Sequence, residues 1–381
     1  MDAFSTISGF IGGGLGYLLP FVLVLGVVVF VHESGHFWVG RLFGTRIEAF
    51  SIGFGRAIAK WKDRHGTEWK VGWLPLGGYV KFWGDEDATS LPNKERLERI
   101  AADPDAATSF HFKPLWQRAL IVAAGPFTNF LFAVIVFAGL YMASGIASFP
   151  PVVGSVIEGS AAQRAGLQPG DRILKVDGET ISDFAEIQRL MLLNGGSPVA
   201  LETERRGEPQ QVVVTPTRIE STDRFGNKYS VFQLGIGSPG LDSATWKRLG
   251  PIEALNQSVS QVYFFVEHTF TFLGRLIMGR EDPKMLSGPL GIAKTSGEVA
   301  KLGTVALIQL MAILSVSVGL LNLFPIPMLD GGHLLYYGIE AVRRRPLGER
   351  AQEYGLRIGL ALVLSLMLFA TWNDVMRIFW S

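Results

Sequence analysis

The sequence contains no cysteine. That absence excludes disulfides and thiolate metal ligands, so any metal must be held by His, Asp or Glu. Charge is also scarce. Only 18% of residues are charged and the net charge is +1, so no global field favours nucleic acid, and none is expected as a partner. Residues before Leu18 include no Lys or Arg. Without a positive region and a cleavage site, a removable secretory signal is not expected, and the first apolar segment should remain in the protein.

What is abundant is apolar sequence. The hydrophobic fraction is 48% of 381 residues, and the mean hydropathy is positive. Four segments approach or exceed the roughly 20 apolar residues that cross a bilayer: 18–40, 119–142, 305–324, and 358–372 with its flanks. Basic residues crowd 41–118 and recur as "RRR" at Arg343–Arg345. The positive-inside rule puts both loops in the cytoplasm, and the N-terminus, the segment after the second span and the C-terminus outside.

Between the spans, residues 50–83 alternate in polarity around "DRHG" and predict a β-hairpin. "LPLGGYVKFWG" then follows, apolar enough to dip toward the membrane if other parts of the protein cover its backbone groups. Residues 85–107 are charged and expected to be exposed. Residues 150–218 read as a compact insert with strands "RILKV" and "ETI" joined at Asp177-Gly178, a strong tight-turn signal. "DFAEIQRLML" follows at helical spacing, and two strands surround Arg206-Gly207. Residues 252–277 repeat apolar positions at helical spacing but carry Glu253, Glu267, His268 and Arg275. They predict an amphipathic helix on the membrane surface or against the bundle rather than a fifth span.

The first span ends in "HESGH", which is H-E-x-x-H at His32, Glu33 and His36. Residues four apart on a helix share a face, so both imidazoles can reach one ion. Glu33 can then contact a water on that metal and act as base. Imidazole suits zinc, which lowers the pKa of such a water to about 7. A catalytic zinc takes a third protein ligand. The sequence offers His65, His111, His333 and Asp330. Asp330 is the expected one, because "LDGGH" ends the third span at the same cytoplasmic depth as "HESGH". Pro325 and Pro327 would unwind the helix there.

H-E-x-x-H in the first span, N-x-x-P-x-P-x-x-D-G from Asn322 to Gly331, and the insert between them resemble the site-2 proteases, which are intramembrane zinc metalloproteases. The likeness is to the bacterial branch that releases sigma factors by cutting anti-sigma factors. "GPFTN" at Gly125–Asn129 and "SGPLGIAKTSG" at Ser287–Gly297 share it. The insert resembles a bacterial PDZ domain at Gly166, Leu167, Gly170, Asp171, Ile173, Val176 and Gly178. It forms one such domain where the best-known members carry two.

The resemblance implies that His32, His36 and Asp330 bind Zn2+ and that Glu33 is catalytic. Asn322 would lie near the scissile bond, Pro325 would contact substrate, and the hairpin around Gly77, Gly78 and Tyr79 would present substrate as a strand. The implied fold is a polytopic α-helical membrane protein with four transmembrane helices, an inserted α+β PDZ domain and a membrane-associated β-hairpin. Its divisions are a first span (1–45), a cytoplasmic loop (46–114), a second span (115–145), the extracytoplasmic PDZ domain (146–240), the amphipathic helix and connector (241–300), a third span (301–340), and a loop with the fourth span (341–381). The implied partners are single-span membrane proteins such as an anti-sigma factor, a peptide in the PDZ groove, and the lipid bilayer of the bacterial inner membrane. The competing reading is a membrane-anchored zincin with a cytosolic active site that removes misfolded proteins. It would need its third ligand in a soluble domain.

Overall fold

The computed structural model describes residues 3–85, 94–222, 228–240 and 243–380. Among them, four helices are long and apolar enough to cross a membrane: Gly16–Leu42, Leu115–Ala143, Thr304–Asn322 and Arg350–Arg377. The chain divides into two compact units.

The first unit comprises Met1–Phe137, Ser258–Val266 and Leu286–Ser381. Its helices are α1 (Ala3–Leu42), α2 (Lys94–Ala101), α3 (Leu115–Ala143, of which the part up to Phe137 belongs here), α7 (Pro289–Lys301), α8 (Thr304–Asn322), α9 (Asp330–Arg343) and α10 (Glu349–Trp380). Part of α6 (Pro251–Ile277) also belongs here. Helix α1 packs on α7 and α8, and α7 on α10. Two polar ties fix α7. Tyr17 donates to Glu298 at 2.5 Å, and Asp374 accepts the Gly291 N–H at 2.8 Å, satisfying a donor in the first turn that α7 cannot satisfy itself. Helix α10 approaches closely through Gly355 and Gly359, where a Cβ would overlap the Tyr336 hydroxyl and the Pro327 carbonyl. This small-xxx-small spacing lets membrane helices approach a neighbour's backbone.

The β-structure of this unit is more folded than the simple hairpin expected. Strands β1 (Ile47–Lys62) and β2 (Glu68–Phe82) pair antiparallel, but each bends back on itself. Residues 47–52 pair with 78–82 on one side, as in Ser51 with Tyr79, and with 68–71 on the other, as in Phe50 with Trp69. Residues 57–62 then pair with 68–72. Two hairpin strands thus make four sheet rows, in the order 78–82, 47–52, 68–72, 57–62. The bends are made at Gly53, Gly55 and Gly77, with φ of 82°, 84° and 104°, a region L-residues rarely adopt. Phe37, Phe50 and Trp69 join the sheet to α1, with ring centroids 4.4–5.3 Å apart.

Of the segment expected to be exposed, residues 86–93 lie outside the described residues. Asp85 departs from that expectation. It is fully buried, accepts the Phe82 N–H at 2.9 Å and pairs with His111 at 2.8 Å. A buried carboxylate needs such partners, and a single sequence does not reveal a partner 26 residues away.

The second unit comprises Ala138–Gln257 and Glu267–Met285. A sheet in the order β6 (Glu179–Thr180), β5 (Arg172–Val176), β7 (Val199–Arg205), β8 (Glu208–Val214) is accompanied by helices α4 (Ala161–Arg164) and α5 (Phe184–Asn194). Shorter pairs join β3 (Ile146–Ser148) to β12 (Thr245–Lys247), β4 (Ser155–Val156) to β11 (Ile236–Gly237), and β9 (Thr217–Thr222) to β10 (Lys228–Gln233). Val153, Leu167, Ile173, Ile187, Val199 and Leu201 are among its buried core residues. Asp177-Gly178 and Arg206-Gly207 both have positive φ at each residue, as tight hairpin turns require. Asp183 caps α5 through the Ala185 N–H, and Gly195 ends the helix in the left-handed conformation.

Candidate metal centre

Helix α1 carries His32 and His36 on one face. Their Nε2 atoms lie 3.3 Å apart, and both rings are buried. Helix α9 begins at Asp330, whose Oδ2 lies 3.1 Å from His32 Nε2 and 3.5 Å from His36 Nε2. Three ligand-type atoms from two helices therefore converge, all within 4.8 Å of one another.

The chemistry of this set fits a cation. His36 Nδ1 lies 2.9 Å from the Ile121 carbonyl, which can only accept. Nδ1 of His36 therefore carries the proton, and Nε2 presents a lone pair. Asp330 Oδ2 is buried without a hydrogen-bond donor. Acceptors that face one another in a dry site repel unless a cation lies among them. Two imidazoles and a carboxylate are also a donor set that zinc accepts.

Local packing explains why α1 can place the rings there. A Cβ on Gly35 would overlap the Ala124 carbonyl of α3, and one on Gly125 would overlap the His36 ring. The glycines thus let two helices meet at the histidines.

His32, His36 and Asp330 line a cleft of about 960 Å³ together with Glu33, Gly77, Gly78, Tyr79, Asn322 and His333. Glu33 is half-buried and follows His32. A Cβ on Gly78 would lie 3.0 Å from the Glu33 side chain, so the third bend of the sheet brings row 78–82 against the carboxylate. That row pairs with 47–52 along one edge, and no strand among the described residues pairs with the other. Pro325 is exposed in the connection after α8 and does not line the cleft, whereas Pro327 does.

The alternative third ligands separate clearly. His65 lies in the hairpin turn, where its N–H contacts Asp63. His111 is engaged by Asp85. His333 lines the cleft, but only His32, His36 and Asp330 form a ligand cluster among the described residues. Sequence reasoning missed Asn129, which reaches His32 Nδ1 at 3.3 Å. Its signal was available as an amide side chain within an apolar span, an unusual placement.

A long apolar helix ending in two ring nitrogens, a neighbouring glutamate and an aspartate from a second helix defines a membrane-integrated metallopeptidase site. The model of "Peptidase family M50" matches residues 20–366, and the chain belongs to that family, the site-2 protease family. It is similar to "Putative zinc metalloprotease Atu1380" of Agrobacterium fabrum, 45% identical across 98% of this chain and 99% of the relative. "Putative zinc metalloprotease R01501" of Rhizobium meliloti is 46% identical across 96% and 98%. "Metalloprotease MmpA" of Caulobacter vibrioides is 41% identical across 96% of each chain. The protein is accordingly a zinc metalloprotease.

Proposed function

We propose that this protein is an intramembrane endopeptidase that cuts the membrane-spanning segments of single-span proteins, an anti-sigma factor or a protein like it. The observation that carries the reading is the position of the cluster: His32, Glu33 and His36 lie inside the candidate span Gly16–Leu42, beside the unpaired edge of row 78–82. His32, His36 and Asp330 hold the metal. When bound, zinc supplies Lewis-acid activation of water and of the scissile carbonyl. Glu33 takes a proton from the attacking water on its carboxylate and delivers it to the leaving nitrogen.

A substrate helix shields its peptide bonds with its own hydrogen bonds and must unwind before attack. The free edge at Gly78 and Tyr79 can pair with the unwound segment as an added strand, and Asn322 faces the same cleft. Exposed Phe54, Ile58, Trp61, Trp73 and Leu74 suit a sheet that meets the membrane. We assign the basic loops to the cytoplasm, the protein to the bacterial inner membrane, and the second unit, read as a PDZ domain that binds peptide, to the outside.

The test is to incubate zinc-loaded protein with single-span substrates and map the products by mass spectrometry. Cuts within the span or at its cytoplasmic edge are expected. Cuts well outside it would favour a membrane-anchored zincin acting on cytosolic proteins.

A further inference from the structure

We propose that Asn129 is a positioning residue for the metal centre: its side-chain oxygen accepts the Nδ1 proton of His32 and so keeps that ring's Nε2 lone pair turned toward the metal. The proposal rests on the reading that His32 is a metal ligand.

Asn129 lies on α3 and is fully buried. It belongs to "GPFTN", a stretch to which the chemistry above gives no role. Its amide nitrogen is placed 3.3 Å from His32 Nδ1, while its oxygen is buried without any hydrogen-bond partner. In that arrangement the amide donates and Nδ1 accepts. The ring proton then sits on Nε2, the atom 3.1 Å from Asp330, and a protonated Nε2 cannot ligate.

The oxygen and nitrogen of an amide have the same shape, and their assignment follows from the hydrogen bonds around them. Exchanging them resolves both difficulties. The orphaned oxygen gains a donor, and His32 Nε2 regains its lone pair. His32 then matches His36, whose Nδ1 proton goes to the Ile121 carbonyl.

The backbone of α3 makes this pairing natural. A helical carbonyl points toward the C-terminus, and a side chain leans toward the N-terminus. The carbonyl of Ile121 and the side chain of Asn129 therefore converge on the level of Gly125. There, a Cβ would overlap the His36 ring and lie 3.0 Å from the His32 ring. One stretch of α3 thus supplies an acceptor to each histidine and the space for both. Helix α8 holds the asparagine in place. Ser315 Oγ donates to the Asn129 carbonyl at 3.0 Å, and a Cβ on Gly319 would come within 3.1 Å of the Asn129 Cβ. A partner that orients a ligating imidazole in this way is commonly worth 10–100-fold in metal affinity.

The experiment measures zinc affinity by chelator competition on the full chain, for wild type, Asn129→Leu and Asn129→Asp. Leucine keeps the branched outline and removes the acceptor, so zinc should bind about 10–100-fold more weakly. An ionised aspartate can accept but cannot donate, so it should hold zinc at least as tightly as wild type. Equal affinity of the leucine variant would overturn the proposal. So would an aspartate variant as weak as the leucine one, since an acceptor beside His32 Nδ1 would then do nothing for zinc binding. If the leucine variant does not fold, the aspartate variant alone decides which way the amide points.

Discussion

In the unit that carries the metal cluster, the deep positions include His32, His36, Asn129 and Ser315 among apolar neighbours. In the second unit, the deep positions Val153, Ile173, Val199 and Leu201 are apolar. Its buried Asp171 is answered by a two-pronged Arg205, at 2.7 and 2.8 Å, and by the Gln168 N–H. The Arg205 hydrogen bonds hold the Asp171 carboxyl below its ordinary range. The contrast separates two uses of a buried polar group. Asp171 has its donors within the fold and serves the fold. Asp330 Oδ2 has none, and it belongs to a cluster that could hold a metal ion. The core of the second unit should tolerate apolar exchanges of equal volume, whereas the core around the metal-ligand cluster should tolerate almost none.

The largest effect should come from separating ligand from base. Glu33→Gln removes a proton acceptor but no ligand. Activity should fall by about a thousandfold or more, within the range general acid–base catalysis supplies, while zinc content stays unchanged. Asp330→Asn should instead lose zinc, because an amide lacks the charge that helps to hold a dication. Peptidase assays paired with metal analysis on the same preparations check both. Full zinc occupancy and normal rates in the Asp330 variant would remove that residue from the ligand set and blur the distinction between the two cores.

The same contrast governs what the sequence disclosed. "HESGH" and "LDGG" were legible because metal ligation demands particular residue types at fixed helical spacing. The four apolar spans and the Asp177-Gly178 turn were legible because bilayer thickness and tight-turn geometry act locally. The fourfold sheet was not, since the pairing of Phe50 with both Val80 and Trp69 depends on bends that only three-dimensional packing selects. The Asp85–His111 pair and the contact of Asn129 with His32 were hidden for the same reason. Each joins residues far apart in the chain, by 26 positions in the first case and 97 in the second.

A smaller effect tests whether the second core is independent. Ile173 is fully buried, and Ile173→Ala should destabilise that unit by roughly 2–5 kcal/mol through lost burial and a residual cavity. Differential scanning calorimetry should show a transition lowered on this account, and metal analysis of the folded protein should show undiminished zinc. Loss of zinc in this variant would mean that the cluster depends on the second unit, although His32, His36 and Asp330 all lie in the first.

The smallest effect concerns Asp63, a polar group in the same unit as the metal cluster that should behave like Asp171. Burial pushes its carboxyl up, but hydrogen bonds from Trp69, Arg41 and the backbone N–H groups of His65 and Thr67 outweigh this and bring it down to about 2. Arg41 closes α1, so Asp63 fastens the hairpin turn to the end of the first span. The sign follows from the depressed value. The carboxylate's contribution is fully present above the unfolded value of about 4, and it is lost as pH falls from there through about 2. Asp63→Asn should therefore loosen the turn by about 1 kcal/mol at neutral pH, read as faster proteolysis between β1 and β2. It should also flatten the wild-type rise in proteolysis measured with an acid-active protease between pH 4 and 2. Zinc content at neutral pH should not change. A variant that keeps the turn intact but sheds zinc would put Asp63 with Asp330 rather than with Asp171, and the division would then fail within the metal-bearing unit itself.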